Sequence, residues 1–449
     1  MSPGATPFVR DQVTVVADVI PPVMKKHLLL RTLALVASLP ESVSSFRGET
    51  YSIPMSNKKY STMSEIHKTF VVLLAFTLCA YATTSVHAQA ASPTPTPVSS
   101  TTILPNSRVT FALSAPQAGT VSLLFGSVEL FAPHPLIAMT RDSNGIWRVT
   151  LGPIVPDLYE YSFSVDGVVI SDPGWAYQKP QRQVNTSLLL IPGNPPDFID
   201  TQDVPHGAIH EETYFATNTQ TFRKLLVYTP PGYGRKSYGP LPVLYLYHGA
   251  FDTVYSWVIQ GRIQEILDNL LTARAIVPMI VVVPDVYSTV PGSPNDERDS
   301  NNTLDVDSQL FSDIVPFVNK NYDVQREASG RAIAGLSMGG YQALYSGLVH
   351  VAEFSAIGLF SAIYFPSAAD RVAITDGLND AKLINRKIKY FDVLIGSADT
   401  VVLPSTNQID SLLNGAGIRH TFELIPGGIH SMDVWRPALY NFVQKIFQP

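Results

Sequence analysis

The stretch "RAIAGLSMGGYQAL", residues 331–344, changes character at a single serine. The residues before Ser337 form the apolar run of a buried strand, and those after it have the spacing of a helix. Gly335 and Gly339 stand two positions before and two positions after the serine. A tight strand–turn–helix exposes a serine hydroxyl and leaves no room for side chains at those two positions. The pattern therefore predicts a nucleophile at Ser337 on an elbow with Gly335 and Gly339, although so short a pattern also occurs by chance.

The chain around this elbow alternates between strand patterns and helix patterns. Buried strands are predicted for "LPVLYLYHG" and "PMIVVVPD" before the elbow, and for residues 354–359, residues 390–395 and "HTFELIPGG" after it. Helical spacing is found in "RIQEILDNLLTAR", "SQLFSDIVPFVNKNY", "STNQIDSLLNGAG" and the end of the chain from Val434. Such alternation predicts a mainly parallel sheet, and the order of elements is that of an α/β-hydrolase.

An α/β-hydrolase needs a histidine base after the nucleophile, and three histidines follow Ser337. His350 ends the helix beside the serine, and His420 stands at the start of a strand. His430 follows "PGG" just past the carboxyl end of a strand, where the binding sites of parallel sheets lie. The sequence therefore predicts His430 as the base.

The α/β-hydrolase fold expects the acid between the nucleophile and the histidine along the chain. Asp399 follows the strand "YFDVLIGS" at its carboxyl end, whereas Asp392 begins that strand. Asp433 is too near His430 along the chain, and Asp376 and Asp380 are interpreted as part of an irregular stretch. Position therefore favours Asp399 over Asp392 as the group that orients the imidazole.

Two backbone N–H groups are predicted to hold the oxyanion of the reaction. One belongs to Met338, directly after the nucleophile, and the other belongs to Ala250, which follows His248 and Gly249 at the end of a strand. His248 is interpreted as a structural part of this loop and not as a second base. No phosphate loop, dinucleotide fingerprint or metal-ligand cluster occurs in the sequence, so no metal site and no cofactor are predicted.

The chain from Ile209 to its end resembles the esterase-D-like "putative esterase" family, which includes feruloyl, acetylxylan and enterochelin-type esterases and mycolyltransferases. The matching segments are "VYTPPGY", "PVLYLYHG", "GRIQEILDNL", "PMIVVVPD", "GLSMGGYQAL" and "IHSMDVWRPAL". The resemblance implies an α/β-hydrolase with the nucleophile at Ser337, the acid at Asp399 and the base at His430. Trp435 and Arg436 also match the family. Ile429 and Met432 depart from it, since many members have glycine and tryptophan there.

Residues 105–194 have the pattern of a separate β domain. The segment "YEYSFSVDG" alternates strictly, and Asn144-Gly145 and Asp166-Gly167 are hairpin turns, so an immunoglobulin-like β-sandwich is predicted. The domain also resembles the carbohydrate-binding module found beside glycogen-branching enzymes, which implies a role with glycans. Trp147 alternates into the core and no exposed aromatic pair is evident, so a structural or site-shaping role is favoured.

The N-terminal region has the layout of an export signal. From Met63, a lysine precedes an apolar run, and small residues follow up to Ala90, which predicts a signal peptide at residues 63–90 with cleavage after Ala88 or Ala90. Residues 1–62 are interpreted as an upstream extension that is not native, although "MKKHLLLRTLALVASLP" from Met24 is a second, weaker signal. Residues 91–104 form a Pro/Thr-rich linker, and residues 195–208 connect the β domain to the esterase domain at 209–449.

Composition limits the partners of the protein. The 449 residues carry a net charge of −6 without a basic block, which argues against nucleic acid as a partner. Cys79 is the only cysteine, and no permanent membrane span is expected in the mature chain, so a secreted or periplasmic protein is predicted. The resemblance to the esterase family implies a serine carboxylesterase that hydrolyses short acyl or hydroxycinnamoyl esters, such as acetyl or feruloyl groups linked to plant polysaccharide. A siderophore esterase, an acyltransferase and a non-catalytic glycan-binding protein remain open.

Overall fold

The structure is a computed structural model, and it describes residues 100–448 except 127–134, 183, 235–237 and 289–301. The predicted upstream extension, the signal peptide and residues 91–99 of the linker lie outside this part of the chain. The described residues contain two small β-sheets, one large mixed sheet and the helices that cover it.

The N-terminal part forms two small sheets. The first has the order β1-β2-β6-β5, and the second has the order β4-β3-β7-β10-β9, with β8 paired to β7. The strands are β1 (Thr101–Ile103), β2 (Val109–Ser114), β3 (Val121–Phe125), β4 (Ile137–Ala138), β5 (Thr140–Arg141), β6 (Ile146–Leu151), β7 (Asp157–Val165), β8 (Val168–Ile170), β9 (Gln178–Lys179) and β10 (Thr186–Ile191).

One hydrophobic core joins the two small sheets. Phe111 and Trp147 reach it from the first sheet, and Tyr161, Phe163 and Leu189 reach it from the second. Trp147 is buried, as its alternation predicts, so its ring is not a surface for sugars. Two antiparallel sheets that face each other across a shared core make a sandwich.

One boundary of the β domain differs from the prediction. Residues 101–103 were expected in the linker, but they form β1 and pair with residues 109–111 of β2. The β-branched residues Thr101, Thr102 and Ile103 suit a paired strand, whereas the prolines that stiffen the linker end at Pro97.

The C-terminal part is built on an eight-stranded sheet with the order β11-β12-β14-β13-β15-β16-β17-β18. β11 and β12 are antiparallel to each other and β12 is antiparallel to β14, while all later pairs are parallel. The strands are β11 (Ala208–Ala216), β12 (Thr221–Thr229), β13 (Val243–Tyr247), β14 (Ile280–Pro284), β15 (Arg331–Leu336), β16 (Ala356–Phe360), β17 (Tyr390–Gly396) and β18 (Thr421–Ile425).

Helices cover both faces of this sheet. They are α1 (Ile263–Thr272), α2 (Asn302–Gln309), α3 (Val315–Asn321), α4 (Ser337–Val349), α5 (Ala368–Leu378), α6 (Ala381–Lys387), α7 (Leu403–Gly415) and α8 (Met432–Val443). Residues of α2–α7 join the core on one face, and residues of α1 and α8 join the core on the other, where the sandwich also packs. Successive side chains of β13 point into different cores. Tyr245 lies in the core with α2–α7, and Leu244 lies in the core with α1 and α8. The predicted α/β-hydrolase fold is therefore confirmed.

Two helical segments extend beyond the predictions. The helix expected from Ser308 begins at Asn302 and passes through a π-helical turn, Leu310–Ile314, into α3. Val306 and Leu310 lie on one side of this helix and are buried, so the helix packs on the core from its first turns. The stretch around Asp376 and Asp380 is not irregular, because Asp376 lies in α5 and Asp380 caps α6.

The sandwich and the hydrolase domain belong to one compact unit. Arg436 of α8 donates to the Asp157 carboxylate of β7 at 2.6 Å, and the Tyr177 hydroxyl donates to the carbonyl of Ile259 at 2.9 Å. Within the residues that the structure describes, no helix is both long enough and apolar enough to span a lipid bilayer.

Candidate active site

Ser337 stands at the point where β15 ends and α4 begins. Its backbone has a φ of 51°, in the left-handed region that costs a non-glycine residue roughly 1–3 kcal/mol. Leu336 before it is extended, with φ −107° and ψ 145°. This sharp change of backbone direction is the predicted elbow, and it presents the Ser337 hydroxyl at the carboxyl edge of the sheet.

The two glycines of the elbow are required by space. A Cβ on Gly335 would lie 2.4 Å from the carbonyl oxygen of Gly339, and a Cβ on Gly339 would lie 2.3 Å from the carbonyl oxygen of His248. Both distances are far below van der Waals contact with backbone atoms. Any larger residue at Gly335 or Gly339 would therefore push apart the elbow or the adjoining loop.

His430 lies in the loop between β18 and α8, directly opposite the serine. Its Nε2 atom is 3.0 Å from the Ser337 Oγ, and its Nδ1 atom is 2.8 Å from Asp399 Oδ2. The imidazole is almost buried, and the Trp435 ring meets it edge to face at a centroid distance of 4.8 Å. Carboxylate, imidazole and hydroxyl thus form one continuous row.

Asp399 follows β17 and is completely buried. Its Oδ1 atom accepts the backbone N–H groups of Val401 at 3.1 Å and Val402 at 3.0 Å. Burial alone would raise the pKa of Asp399, but the hydrogen bond and charge of His430 and the Val402 N–H outweigh it, so the pKa lies below 3.8. An ionised Asp399 accepts a hydrogen bond from the Nδ1–H of His430, which leaves the Nε2 lone pair toward Ser337.

The rejected candidates lie elsewhere and have partners of their own. His350 contacts Asp307 at 2.8 Å, and His420 contacts Asp410 at 2.9 Å. Asp392 accepts the Thr421 hydroxyl near the beginning of β18, at the far end of the strands. The structure thus brings together the three residues that the sequence favoured and separates them from the alternatives.

The segment 248–253, which we call the oxyanion loop, follows β13 and lies beside the elbow. A Cβ on Gly249 would be 3.4 Å from the Ser337 Cβ, so this backbone touches the serine. Among the described residues, no protein acceptor takes the N–H of Ala250 or that of Met338, the second residue of α4. Both N–H groups remain available to an oxygen that forms beside Ser337.

His248 holds the oxyanion loop in one orientation. Its Nε2 atom accepts the Val286 N–H at 3.2 Å, so Nδ1 carries the proton and donates to the carbonyl oxygen of Gly249 at 2.9 Å. Although Asp285 Oδ1 lies 3.5 Å from Nε2, the closer Val286 proton makes this nitrogen an acceptor. In a trans peptide the C=O and the N–H point in opposite directions. By holding the Gly249 carbonyl, His248 therefore turns the Ala250 N–H the other way.

Three groups near the site were not found from the sequence. Asp252 belongs to the oxyanion loop itself, Lys179 of the sandwich lies 3.0 Å from its carboxylate, and the Tyr287 hydroxyl accepts the Phe251 N–H at 2.6 Å. No local pattern marks a polar contact between distant segments, so sequence periodicity could not reveal them. In the described part of the chain, no group of three or more His, Cys, Asp or Glu side chains is placed to hold a metal.

The chain is similar to known esterases. A family model described as "Putative esterase" matches residues 216–446, slightly more than half of the chain. A protein of Xylanibacter ruminicola named endo-1,4-beta-xylanase/feruloyl esterase is 28% identical over 348 residues, which cover 75% of this chain and 44% of that protein. The chain spans between 44% and 62% of the lengths of three curated relatives that it matches.

The chain is also similar to solved structures. The enterobactin esterase of Shigella flexneri has a TM-score of 0.56 at 17% identity, and the match covers 76% of this chain and 93% of that one. A ferulic acid esterase of Anaeromyces mucronatus has a TM-score of 0.49 at 24% identity and covers 58% of this chain and 98% of that one. The match to the Shigella protein shows a shared fold, and its coverage is larger than the hydrolase domain alone.

Proposed function

We propose that this chain, which belongs to the "Putative esterase" family, is a serine carboxylic ester hydrolase with Ser337 as nucleophile, His430 as base and Asp399 as acid. The observation that carries the proposal is the unbroken row from the Ser337 hydroxyl through the His430 ring to the Asp399 carboxylate. The three residues are far apart in the sequence, but they meet at the carboxyl ends of β15, β17 and β18. Parallel sheets bind their ligands at these strand ends.

The geometry gives each residue one task. His430 Nε2 takes the hydroxyl proton as Ser337 Oγ attacks the ester carbonyl carbon, and Asp399 stabilises the imidazolium that forms. The carbonyl oxygen becomes an oxyanion and accepts the N–H groups of Ala250 and Met338, each worth roughly 3–4 kcal/mol in such sites. The C–O bond to the alcohol breaks, and the alcohol leaves with the proton from Nε2.

The second half of the reaction repeats these steps with water. Water attacks the acyl-serine as His430 takes one of its protons, and the acid leaves as Ser337 recovers its hydrogen. If a sugar hydroxyl takes the place of water, the same residues transfer the acyl group, so an acyltransferase uses the same site. The ratio of hydrolysis to transfer separates these two outcomes.

For the substrate we propose short acyl or hydroxycinnamoyl esters, such as acetyl or feruloyl groups on small molecules or plant polysaccharide. The support is the name of the 28% identical relative, which pairs a xylanase with a feruloyl esterase. A siderophore esterase of the enterochelin type is the alternative. The net charge of −6 gives no general attraction to an anionic iron complex, which favours the first class.

A protein of another class, a glycan-binding protein without catalysis, is the contrasting hypothesis. Such a protein would bind glycans through the sandwich and would not need Ser337, His430 and Asp399 to be aligned. The buried Trp147 removes one aromatic side chain from its potential binding surface. Measurable ester hydrolysis that is lost in the Ser337→Ala variant would exclude this hypothesis.

We further propose that the protein is exported, with residues 63–90 as the signal peptide, to the periplasm or the medium. The support is the apolar run before the small residues Ala88 and Ala90. N-terminal sequencing of exported material is expected to start at Gln89 or Ala91. Exported protein that retains residues 1–62 would contradict this proposal.

A substrate panel tests the proposed function. We expect hydrolysis of p-nitrophenyl acetate, of methyl ferulate and of acetylated xylan, and little hydrolysis of emulsified triolein. A triscatecholate trilactone tests the siderophore alternative in the same series. Preference for triolein, or hydrolysis of the trilactone alone, would contradict the substrate class, and absence of all hydrolysis would contradict the enzyme.

A further inference from the structure

A short segment of the sandwich lies directly against the oxyanion loop of the hydrolase domain. This segment, residues 179–182, is called the strap. The backbone N–H of Arg182 donates to the carbonyl of Phe251 at 2.9 Å, and the Thr253 hydroxyl donates to the carbonyl of Pro180 at 3.1 Å. Two main-chain groups of the strap therefore bond to the loop that carries the Ala250 N–H.

The strap also contacts the oxyanion loop through the side chain of Lys179. Its ammonium lies 3.0 Å from Asp252 Oδ1 and 3.4 Å from Glu160 Oε1, and all three side chains are buried. Burial alone would lower the pKa of Lys179, but the charges of Asp252 and Glu160 raise it above its usual value. Lys179 therefore stays charged and holds the two carboxylates together.

Asp252 carries this contact to the backbone of the oxyanion loop. While its Oδ1 atom faces Lys179, its Oδ2 atom faces the backbone N–H of Gly249 at 3.4 Å. Gly249 is the residue directly before Ala250. A movement of the Asp252 carboxylate would therefore shift the Gly249–Ala250 peptide and change the direction of the Ala250 N–H.

Glu160 fixes Lys179 from the side of the sandwich. Its carboxylate also accepts the Thr186 hydroxyl at 2.6 Å and the side-chain amide of Gln260, which belongs to the hydrolase domain. A buried carboxylate with several donors keeps a single orientation. Lys179 thus lies between two carboxylates, that of Glu160, which is fixed by its other donors, and that of Asp252 in the oxyanion loop.

These contacts hold the main-chain groups on both sides of the Ala250 N–H. The Gly249 carbonyl is held by His248, the Phe251 N–H by Tyr287, and the Phe251 carbonyl by Arg182. The N–H of Ala250 lies between these held groups and has no protein acceptor in the described residues. Its direction is therefore set by its neighbours.

We propose that Lys179 is a positioning residue for ester hydrolysis: through Asp252 it aligns the Gly249–Ala250 peptide, so the sandwich completes the oxyanion site of the hydrolase domain. This inference rests on the proposed function. It assigns the sandwich a task in the chemical step that does not depend on glycan binding.

The test compares Lys179→Met with a matched control, Asp157→Asn. The control weakens another ion pair between the two domains, that of Asp157 with Arg436 at 2.6 Å, which does not touch the oxyanion loop. For p-nitrophenyl acetate we expect kcat to fall about 10²-fold in Lys179→Met with little change in KM, because a misplaced donor acts on the transition state. We expect kcat of the control to stay within about 2-fold of the wild type, because its ion pair lies away from the loop.

A second measurement separates positioning from general weakening of the fold. A trifluoromethyl ketone forms a tetrahedral adduct with a serine and needs the same donors as the transition state. Its Ki should rise by about the same factor as kcat falls in Lys179→Met, and Lys179→Arg, which keeps the charge, should recover most of both. Asp252→Asn should shift Ki in the same direction, and this more conservative variant gives a result if Lys179→Met does not fold.

The outcomes are distinct. Folded Lys179→Met with the kcat and Ki of the control, or Asp252→Asn with wild-type Ki, would overturn the inference while the proposed function stands. A wild-type protein that hydrolyses no ester would overturn the proposed function itself. A fall of kcat in Lys179→Met and in Asp157→Asn to the same extent would show a structural role only.

Discussion

The Nε2 atom of His430 lies 3.0 Å from the Oγ atom of Ser337, although 93 positions of sequence separate the two residues. The contact joins the loop after β18 to the elbow after β15, and two further strands lie between these in the sheet. At this distance the serine proton can pass to the ring without movement of either backbone.

Replacement of Ser337 by alanine should remove ester hydrolysis. We expect kcat with p-nitrophenyl acetate to fall by at least about 10³-fold while the melting temperature stays near that of the wild type, because the role of the hydroxyl is chemical. The control is Ser355→Ala, because Ser355 lies just before β16, at the amino-terminal ends of the parallel strands and away from Ser337. Activity near the wild-type level in folded Ser337→Ala would exclude this nucleophile.

The choice of acid is tested by two asparagine variants. Asp399→Asn should lower kcat by about 10⁴-fold, because an amide at this position favours the wrong tautomer of His430. Asp392→Asn should leave kcat near its wild-type value, since Asp392 contacts Thr421 at the far end of the strands. Steady-state kinetics of both variants with one ester decide between them, and the reverse result would reassign the acid.

The space around Gly339 predicts a steric effect on stability. Gly339→Ala should lower the free energy of unfolding by roughly 1–3 kcal/mol, since its Cβ would lie 2.3 Å from the His248 carbonyl oxygen. Gly415→Ala at the end of α7 is the matched control, because a Cβ there meets no atom within 4 Å. Urea unfolding measures both, and equal stability of the two variants would contradict the tight packing of the elbow.

The oxyanion donors can be observed directly. A phosphonate that reacts covalently with Ser337 should place one phosphoryl oxygen about 2.7–3.1 Å from the backbone nitrogen atoms of Ala250 and Met338. A crystal structure of this adduct makes the measurement. If the oxygen instead faces side chains and leaves either N–H unused, that donor is wrongly assigned.

Asp399 also predicts how stability depends on pH. Its pKa is lower in the folded protein than the usual 3.8, so its charge stabilises the fold above that value, and the gain disappears as the pH falls through the lowered pKa. The difference in melting temperature between the wild type and Asp399→Asn should therefore be largest near neutral pH and should shrink below pH 3.8. Thermal unfolding across this range measures it, and a difference that grows toward acid would contradict the lowered pKa.

Much of the architecture was accessible from the sequence because it depends on local signals. The apolar runs of β13, β14 and β15, the glycines around Ser337 and the positions of Asp399 and His430 after strands were sufficient for the fold class and the candidate triad. Strand ends are read from composition and periodicity, and parallel strands bring their carboxyl ends to one edge. The positions of these residues along the chain were therefore sufficient to predict that they lie close together in space.

The rest depends on contacts that leave no local signal. The start of α2 was missed because polar residues surround Val306, and α5 was missed because its periodic apolar face is short. The pairing of Lys179 with Asp252 joins two domains, and a single lysine and a single aspartate carry no period. Such polar contacts are determined by packing of the whole molecule and follow only from the three-dimensional arrangement.

The contact between the strap and the oxyanion loop has a consequence for engineering and for evolution. A hydrolase domain cut at residue 209 would keep Ser337, Asp399 and His430 but would lose Lys179 and the main-chain partners at Pro180 and Arg182. A chimera with a sandwich from another protein would lack the contact to Asp252 as well, unless that sandwich carried an equivalent lysine. The two domains are therefore expected to be inherited as a pair, with substitutions at position 179 and position 252 changing together.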